Sequence, residues 1–508
     1  MQVAVTTRSR NASLHPARSP RVQSRATRMR IICAAVSIVC ALGAIDSAQA
    51  LGLADAYEAA LGHDPVYAGA ARDKEAGDAN LAMGRSYLLP NLSANYGNYR
   101  EWTATTYLGQ PGGNTSTFQQ YHAYSEGVSF RQPLISYEAL SHYRYGRALA
   151  LASDATFIDS GEELLVRVLT AYTNTAFALD QLALATAQTQ ALNEQLAGNQ
   201  SMFKNGQGTR TDILETTAKA ELAEADVSDA RDTVDNSAHA LEALTGLPDS
   251  LDVGGLDRLS DDYRPVMPLP AGYEQWRDLA LDNNGQLIAE RHSVEAARQQ
   301  REVARAGFYP HVDLVGNVGK SLSNTLDTIG QSYITKSVGI ELTIPLYSGG
   351  MVQASTRQAN ANFEKAQFEL EDNTNKILLD VRKQYNLCVS SINRISALQS
   401  AVESATELIV ATKKSVEAGV RTNLDVLTAQ QQLYQSKRDL AQARYQYLLA
   451  ELQLKRDAGT LTAQDLYRTA QWFVPPASAT PDAKATTGGT RIDIQSTPTG
   501  VVIRSSPQ

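Results

Sequence analysis

Cysteine is scarce in this chain: three residues in 508, at positions 33, 40 and 388. No disulfide framework can be built from that set. Histidine is thin as well, seven in all and none in an H-E-x-x-H arrangement, so neither a metal site nor a nucleophile pair emerges. Gly206-Gln207-Gly208 lacks the further glycine and the strand-to-helix setting of a nucleotide fingerprint. Acidic pairs such as Glu162-Glu163 and Asp261-Asp262 read as solvated surface, not as acid–base dyads. Basic charge is outnumbered, with 46 Lys+Arg against 54 Asp+Glu, which argues against nucleic acid as a partner. Beyond residue 50 no apolar run is long enough for a transmembrane helix. A membrane segment, if there is one, must be β-strand. No enzymatic activity, cofactor or metal is expected.

What is present begins with a basic amino end. Residues 1–30 hold seven Arg and no acid, and an apolar run, IICAAVSIVCALGAI, fills 31–45. Asp46-Ser47-Ala48-Gln49-Ala50 then supplies an A-x-A site, the pattern of a secretory signal peptide over 1–50. Met29 is an alternative start, and an uncleaved anchor is the alternative reading. Lipidation at Cys40 is disfavoured by bulky Val39 before it. Removal of 1–50 leaves one cysteine, Cys388, and a balance of 39 basic against 53 acidic residues.

The main body is organised around Gly419–Gly459. Val426, Leu433, Leu440, Tyr447 and Leu454 recur every seven residues, with small Ala429, Ser436, Ala443 and Ala450 three positions on. That is a coiled-coil seam of one bulky and one small position, which lets helices approach closely. The stretch is written twice. At an offset of 213, Gly206 falls under Gly419, Asp212 under Asp425 and Gly246 under Gly459. Ile213, Ala220, Val227, Val234 and Leu241 take the heptad positions, beside Thr216, Ala223, Ala230 and Ser237. Arg85 and Pro90 correspond to Arg305 and Pro310, and Pro133-Leu134 to Pro345-Leu346. A duplication that keeps heptad phase predicts two similar structural halves.

Each half carries two candidate strands: 91–103 and 118–134 in the first, 311–319 and 337–345 in the second. Val338, Ile340, Leu342 and Ile344 alternate with Gly339, Glu341 and Thr343. These runs approach or exceed the roughly 9–11 residues a tilted strand needs to cross a bilayer. Long Pro-free runs at 137–205 and 351–418 each predict one helix, and shorter helices are expected at 67–86 and 285–307. The expected organisation is therefore a signal peptide at 1–50, a first repeat at 51–246, a joint at 247–271 and a second repeat at 272–459. A C-terminal helical segment at 460–473 and a disordered tail at 474–508 complete it.

Four strands cannot close a barrel, and an open edge in lipid leaves backbone groups unpaired. Membrane strands in this number imply a barrel shared between copies; three chains give twelve strands. The fold class expected is mainly α with membrane β: a trimeric α-barrel of long coiled-coil helices continuous with a 12-stranded β-barrel. The competing class is a structural or adhesive periplasmic coiled coil without a pore.

From GVRTNLDVLTAQQQLYQSKRDLAQARYQYLLAELQLK, the trailing AGTLTAQDL and the two Pro-Leu strand ends, residues 51–472 resemble the TolC-type outer-membrane efflux and secretion channels. The resemblance implies a homotrimeric conduit in the outer membrane of a Gram-negative cell, reaching through the periplasm to a periplasmic adaptor and an inner-membrane transporter. It places adaptor contacts at the tip turns of Gly206 and Gly419, where glycine also suits a helix-to-helix turn. It implies a gate latch from Arg421 to Thr211 and Asp212, with Val416 standing where the family has a supporting tyrosine. Asp425 matches a pore-facing acid that selects cations, and Thr428 replaces a second one. Cargo, drug or secreted protein, stays open at this point.

Overall fold

The computed structural model describes residues 51–475 except Gln110, Gly112, 248–254 and Asn324. The signal-peptide reading of 1–50, with Met29 and Cys40, and the tail from 476 onward lie outside the described residues, as does part of the joint.

Each half runs helix, helix, strand, strand, long helix, second helix. In the first, α1 (Leu53–His63) and α2 (Pro65–Ser86) lead to β1 (Asn91–Tyr107) and β2 (Thr115–Ile135), then to α3 (Tyr137–Lys204) and α4 (Arg210–Thr245). A short strand, β3 (Arg258–Leu259), sits in the joint. The second half repeats the order with α5 (Tyr273–Asn283), α6 (Gly285–Ala306), β4 (His311–Leu322), β5 (Ser332–Thr343), α7 (Met351–Glu417) and α8 (Asn423–Asp457). Helix α9 (Ala463–Ala470) and strand β6 (Phe473–Val474) follow. Val474, assigned to the tail by composition, is thus a strand residue paired with Arg258. The strands run three to five residues past their expected ends because Thr- and Ser-rich flanks pair across the turns: Thr106 Oγ1 lies 2.9 Å from Ser116 Oγ.

The four long strands form one antiparallel sheet in the order β1-β2-β4-β5. Its register sorts the side chains into two unlike faces. Leu92, Phe130, Gly316 and Val338 share one row, and Leu314 and Ile340 stand opposite each other on the same face. Val338 and Ile340 are 80% and 71% exposed. On the other face stand Ser93, Ser129, Asn317 and Ser337, with the Arg131 guanidinium donating to Asp313 Oδ2 at 2.9 Å. Such a sheet suits hydrocarbon on one side and water on the other. Among the described residues no helix is long and apolar enough to cross a membrane.

Helices keep the order of the strands they continue: α2 packs on α3, α3 on α6, and α6 on α7. Further along, α4 takes the place of α2 beside α3, and α8 packs between α3 and α7. Helices α3 and α7, at 68 and 67 residues, run uninterrupted; each is about 100 Å long at 1.5 Å per residue. Ser136 starts α3 by accepting the Ala139 N–H at 3.1 Å. Gly146 permits the close approach of α2, since a Cβ there would lie 2.3 Å from the Asn80 carbonyl oxygen.

Small elements thicken the middle. Leu165, Leu169 and Tyr172 of α3 join Leu53 and Tyr57 of α1, Trp276 of α5, Tyr447 of α8 and Leu466 of α9 in one core. Tyr172 donates to the Leu51 carbonyl at 2.9 Å, and its ring meets Phe473 edge-on. Where α1 breaks into α2, Asp64 accepts from the Tyr67 N–H at 2.9 Å and from Arg167 at 2.6 Å.

The same middle carries an electrostatic load. Glu162 is pushed up to about 7 by burial and by Asp159, and Asp457 to about 6 by burial, with Arg456 opposing both. A folded-state pKa above the unfolded value means the native state binds the proton more tightly, so stability rises as pH falls from about 7 towards the ordinary carboxylate range. Glu162→Gln is expected to raise the melting temperature at pH 8 and to leave it unchanged near pH 4.5; an equal shift at both pH values would remove Glu162 as the source.

Candidate gate at the helical tips

The two turns that join α3 to α4 and α7 to α8 are chemical copies. Gly206 and Gly419 adopt φ of 71° and 72°, a left-handed conformation that ends a helix and that side-chain-bearing residues disfavour. The next N–H turns back on the finished helix: Gln207 donates to the Met202 carbonyl at 2.9 Å, and Val420 to that of Ser415 at 2.9 Å. Neither glycine has a neighbour where a Cβ would go, so backbone conformation alone requires it.

Three residues beyond each glycine a capping box opens the return helix. Thr209 Oγ1 accepts from the Asp212 N–H at 3.1 Å, while Asp212 Oδ2 accepts from the Thr209 N–H at 3.0 Å. At the second tip, Asp425 Oδ2 accepts from the N–H and the hydroxyl of Thr422, both at 2.9 Å. These bonds, and Arg421 nearby, hold the Asp425 carboxyl below the usual carboxylate range. Asp425 therefore stays charged to lower pH than an ordinary aspartate, and it starts a helix as well as carrying that charge. The signal for the capping role, Thr-x-x-Asp after a glycine turn, stands in the sequence at 209–212 and 422–425.

Among the described residues no hydrogen bond or ion pair joins Arg421 to Thr211 or Asp212 within the chain. The Asp212 carboxylate is occupied by its own cap, and Thr211 is exposed. What ties the two halves together lies just behind the tips. Gln195 Nε2 donates to Asn423 Oδ1 at 2.8 Å, Asn423 Nδ2 to Thr216 Oγ1 at 3.2 Å, and Asn199 Nδ2 to Thr216 Oγ1 at 2.8 Å. Asn199, Thr216 and Asn423 are buried. This polar cluster links α3, α4 and α8. Thr216 was expected as a small seam residue; the amides were not singled out, because polar residues near a turn look solvated until a second helix covers them. Further from the tip, Lys219 donates to Gln431 Oε1 at 3.0 Å.

Nothing in this geometry offers covalent chemistry. Cys388 is fully buried, and burial pushes its thiol up to about 12. No cluster of His, Cys, Asp and Glu fit for a metal occurs among the described residues.

The doubled role of Asp425 separates two substitutions. Asp425→Ala removes the acceptor and is expected to speed amide exchange in the first turn of α8. Asp425→Asn keeps an acceptor and leaves exchange near wild type; equal acceleration in both would show that charge, not the cap, holds the helix start.

Known proteins share this arrangement. The family model described as outer membrane efflux protein matches residues 56–247 and 276–460. The alkaline protease secretion protein AprF of Pseudomonas aeruginosa is 44% identical over 430 residues, covering 84% of this chain and 89% of that protein. The proteases secretion protein PrtF of Dickeya chrysanthemi is 38% identical over 430 residues, covering 84% and 92%. The crystal structure of the outer membrane protein VceC of Vibrio cholerae superimposes with a TM-score of 0.68 at 19% identity, over 80% of this chain and 96% of that one. Two matched halves, the two-faced sheet and the paired long helices agree: the chain belongs to the outer membrane efflux protein family of TolC-type exit channels, and is an outer-membrane channel and not an enzyme or a poreless coiled coil.

Proposed function

We propose that this chain is the outer-membrane exit duct of a type I secretion system, with a secreted protein as cargo. The observation that carries the choice of cargo is the 44% and 38% identity, over most of both chains, to two proteins named for protease secretion. Drug efflux, left open by the residues alone, is the less favoured branch of the same family.

Three copies make the conduit. The sheet ends in β1 on one side and β5 on the other, each with one edge unpaired within the chain. Joining β5 of one copy to β1 of the next closes twelve strands and satisfies every backbone group in lipid. The helices below follow the strand order and close with them into an α-helical barrel, in which the two repeats of each chain alternate. A periplasmic adaptor meets the tips at Gly206 and Gly419, and an inner-membrane transporter supplies the energy.

Arg421 is the latch of the closed state. Thr211 and Asp212 of its own chain are not its partners, so the bond runs from the second tip of one copy to the first tip of the next. Three such bonds tie the tips together, and opening breaks them. Asp425, adjacent to Arg421 and depressed in pKa, contributes three carboxylates to a ring that favours cations. With Val416 in place of a supporting tyrosine and Thr428 in place of a second acid, the latch and the ring are both lighter than the family pattern.

Single-channel recording in a planar bilayer tests the gate. Arg421→Ser is expected to raise conductance several-fold, and Asp425→Asn to lower the cation preference. Unchanged conductance would discard the latch, and an unchanged permeability ratio would take Asp425 out of the pore. Cargo is tested separately, by expressing the chain in Pseudomonas aeruginosa cells deprived of AprF. Restored export of alkaline protease supports secretion. Failure despite trimers in the outer membrane, with resistance restored in a second strain deprived of its drug-efflux outer-membrane channel, would assign the chain to efflux.

A further inference from the structure

Beneath the strands the charge of the chain reverses. The mature chain is acidic, yet Arg85 of α2, Arg144 and Arg147 of α3, and Arg298, Arg301 and Arg305 of α6 crowd the first turns below the sheet. Against them stand Glu138, Glu295 and Glu302. Glu295 is engaged by Arg298 and Gln299, and Glu302 by Arg301, Arg305 and Tyr137. Glu138 has His142 at 3.8 Å, an imidazole whose pKa burial lowers. Arg144 and Arg147 are exposed and have no hydrogen-bond or ion-pair partner among the described residues. Both line a groove of about 470 Å³ between α3 and α6, with Leu151, His292, Arg298, Gln299 and Glu295, whose carboxylate is paired with Arg298.

The groove's height matters. Arg144 and Arg147 lie about 10 and 15 Å along α3 from its start at the end of β2, taking 1.5 Å per residue. Side chains on a helix lean towards its N-terminus, which for α3 is the end that meets the strands. The Cα–Cβ bonds of both arginines therefore tilt towards the sheet. Tyr87, Leu89, Phe308 and Tyr309, all exposed, mark the junction above with the amphipathic residues that favour a membrane–water boundary. Arginine stems bridge the remaining distance to the headgroup layer.

The side of the helix follows from its seven-residue row. Arg144, Leu151, Ile158, Leu165 and Tyr172 recur every seven positions, and Leu165 and Tyr172 of that row pack under α1 and the other small elements. In a conduit those elements lie outside the bore, which they would otherwise obstruct. The argument rests at this step on the channel reading above. Leu151, exposed on the same row, lines the groove as well.

We infer that the groove between α3 and α6 holds the headgroup of an anionic phospholipid of the inner leaflet, with Arg144 and Arg147 on its phosphate. Planar guanidinium groups match phosphate oxygens in pairs. The lipid is held by the outside of the conduit within a single chain, so each trimer has three such sites.

Native mass spectrometry of the detergent-solubilised mature trimer, supplied with phosphatidylglycerol or phosphatidylethanolamine, tests the site. Phosphatidylglycerol is expected to be retained selectively, and R144Q/R147Q to weaken its retention roughly 30-fold, the combined effect of two arginines. R144K/R147K keeps the charge but loses the paired fit, so its retention should fall between wild type and R144Q/R147Q, and excess inorganic phosphate should not displace the lipid. Equal retention of both lipids by wild type, or unchanged retention in R144Q/R147Q, overturns the proposal. Displacement by phosphate alone also overturns it, in favour of a free-anion site. A shifted ion selectivity in R144Q/R147Q with lipid retention intact would put the arginines in the bore and overturn it too. Bilayer conductance separates the two readings: selective retention without conductance removes the conduit and leaves the lipid site, whereas conductance without selective retention removes the lipid site alone.

Discussion

Backbone hydrogen bonding at the two edges of a four-stranded sheet is the constraint on which this molecule depends. A strand edge in water is satisfied by solvent; one in hydrocarbon is not. The sheet order β1-β2-β4-β5 leaves an edge at each end of the chain's contribution, and the apolar face formed by Leu314, Val338 and Ile340 needs lipid rather than a protein core. In the conduit we propose, those two edges meet in the next copy, and oligomerisation completes the sheet. Everything below inherits the arrangement: each long helix continues a strand, so helix neighbours repeat strand neighbours.

Duplication makes that inheritance regular. Within each half the long helix packs along the heptad helix that follows it, and α3 also lies against α8, which joins the two hairpins. Small seam residues (Ala223 and Ala230 in α4, Ala429 and Ala443 in α8) are buried in both halves, which brings the helices close. The halves differ where the chain turns back on itself. Only the second repeat is followed by α9 and β6, whose Phe473 enters the core against Tyr172 and Tyr445. That closure ties the carboxyl end to the joint through the two-stranded β3–β6 sheet.

At the tips, the helix caps and the gate we propose draw on the same atoms. Asp212 and Asp425 each close a capping box, so neither carboxylate is a free charge waiting for a partner. A latch that uses Asp212 must share it with Thr209, and a charge ring that uses Asp425 keeps its ionisation because the cap depresses its pKa. Behind them the cluster of Gln195, Asn199, Thr216 and Asn423 is satisfied internally, which fixes how the first hairpin lies on the second while leaving contacts between copies to change.

The sequence by itself determined the repeat, the extent of the two longest helices and the presence of the four long strands, because each rests on local periodicity: heptads at 426–454 and 213–241, alternation at 338–344, and long runs without proline. It also located both tip glycines, since positive φ is a property of one residue and its neighbours. Tertiary structure decided what depends on distant segments meeting. The order β1-β2-β4-β5 sets a strand of the second half beside one of the first, and no local pattern encodes that pairing. The buried amides behind the tips become a network only once α8 lies on α3, and Val474 becomes a strand only because Arg258 is there to pair with it. Periodicity is written along the chain, whereas burial and hydrogen-bond partnership are supplied by whatever the fold brings alongside.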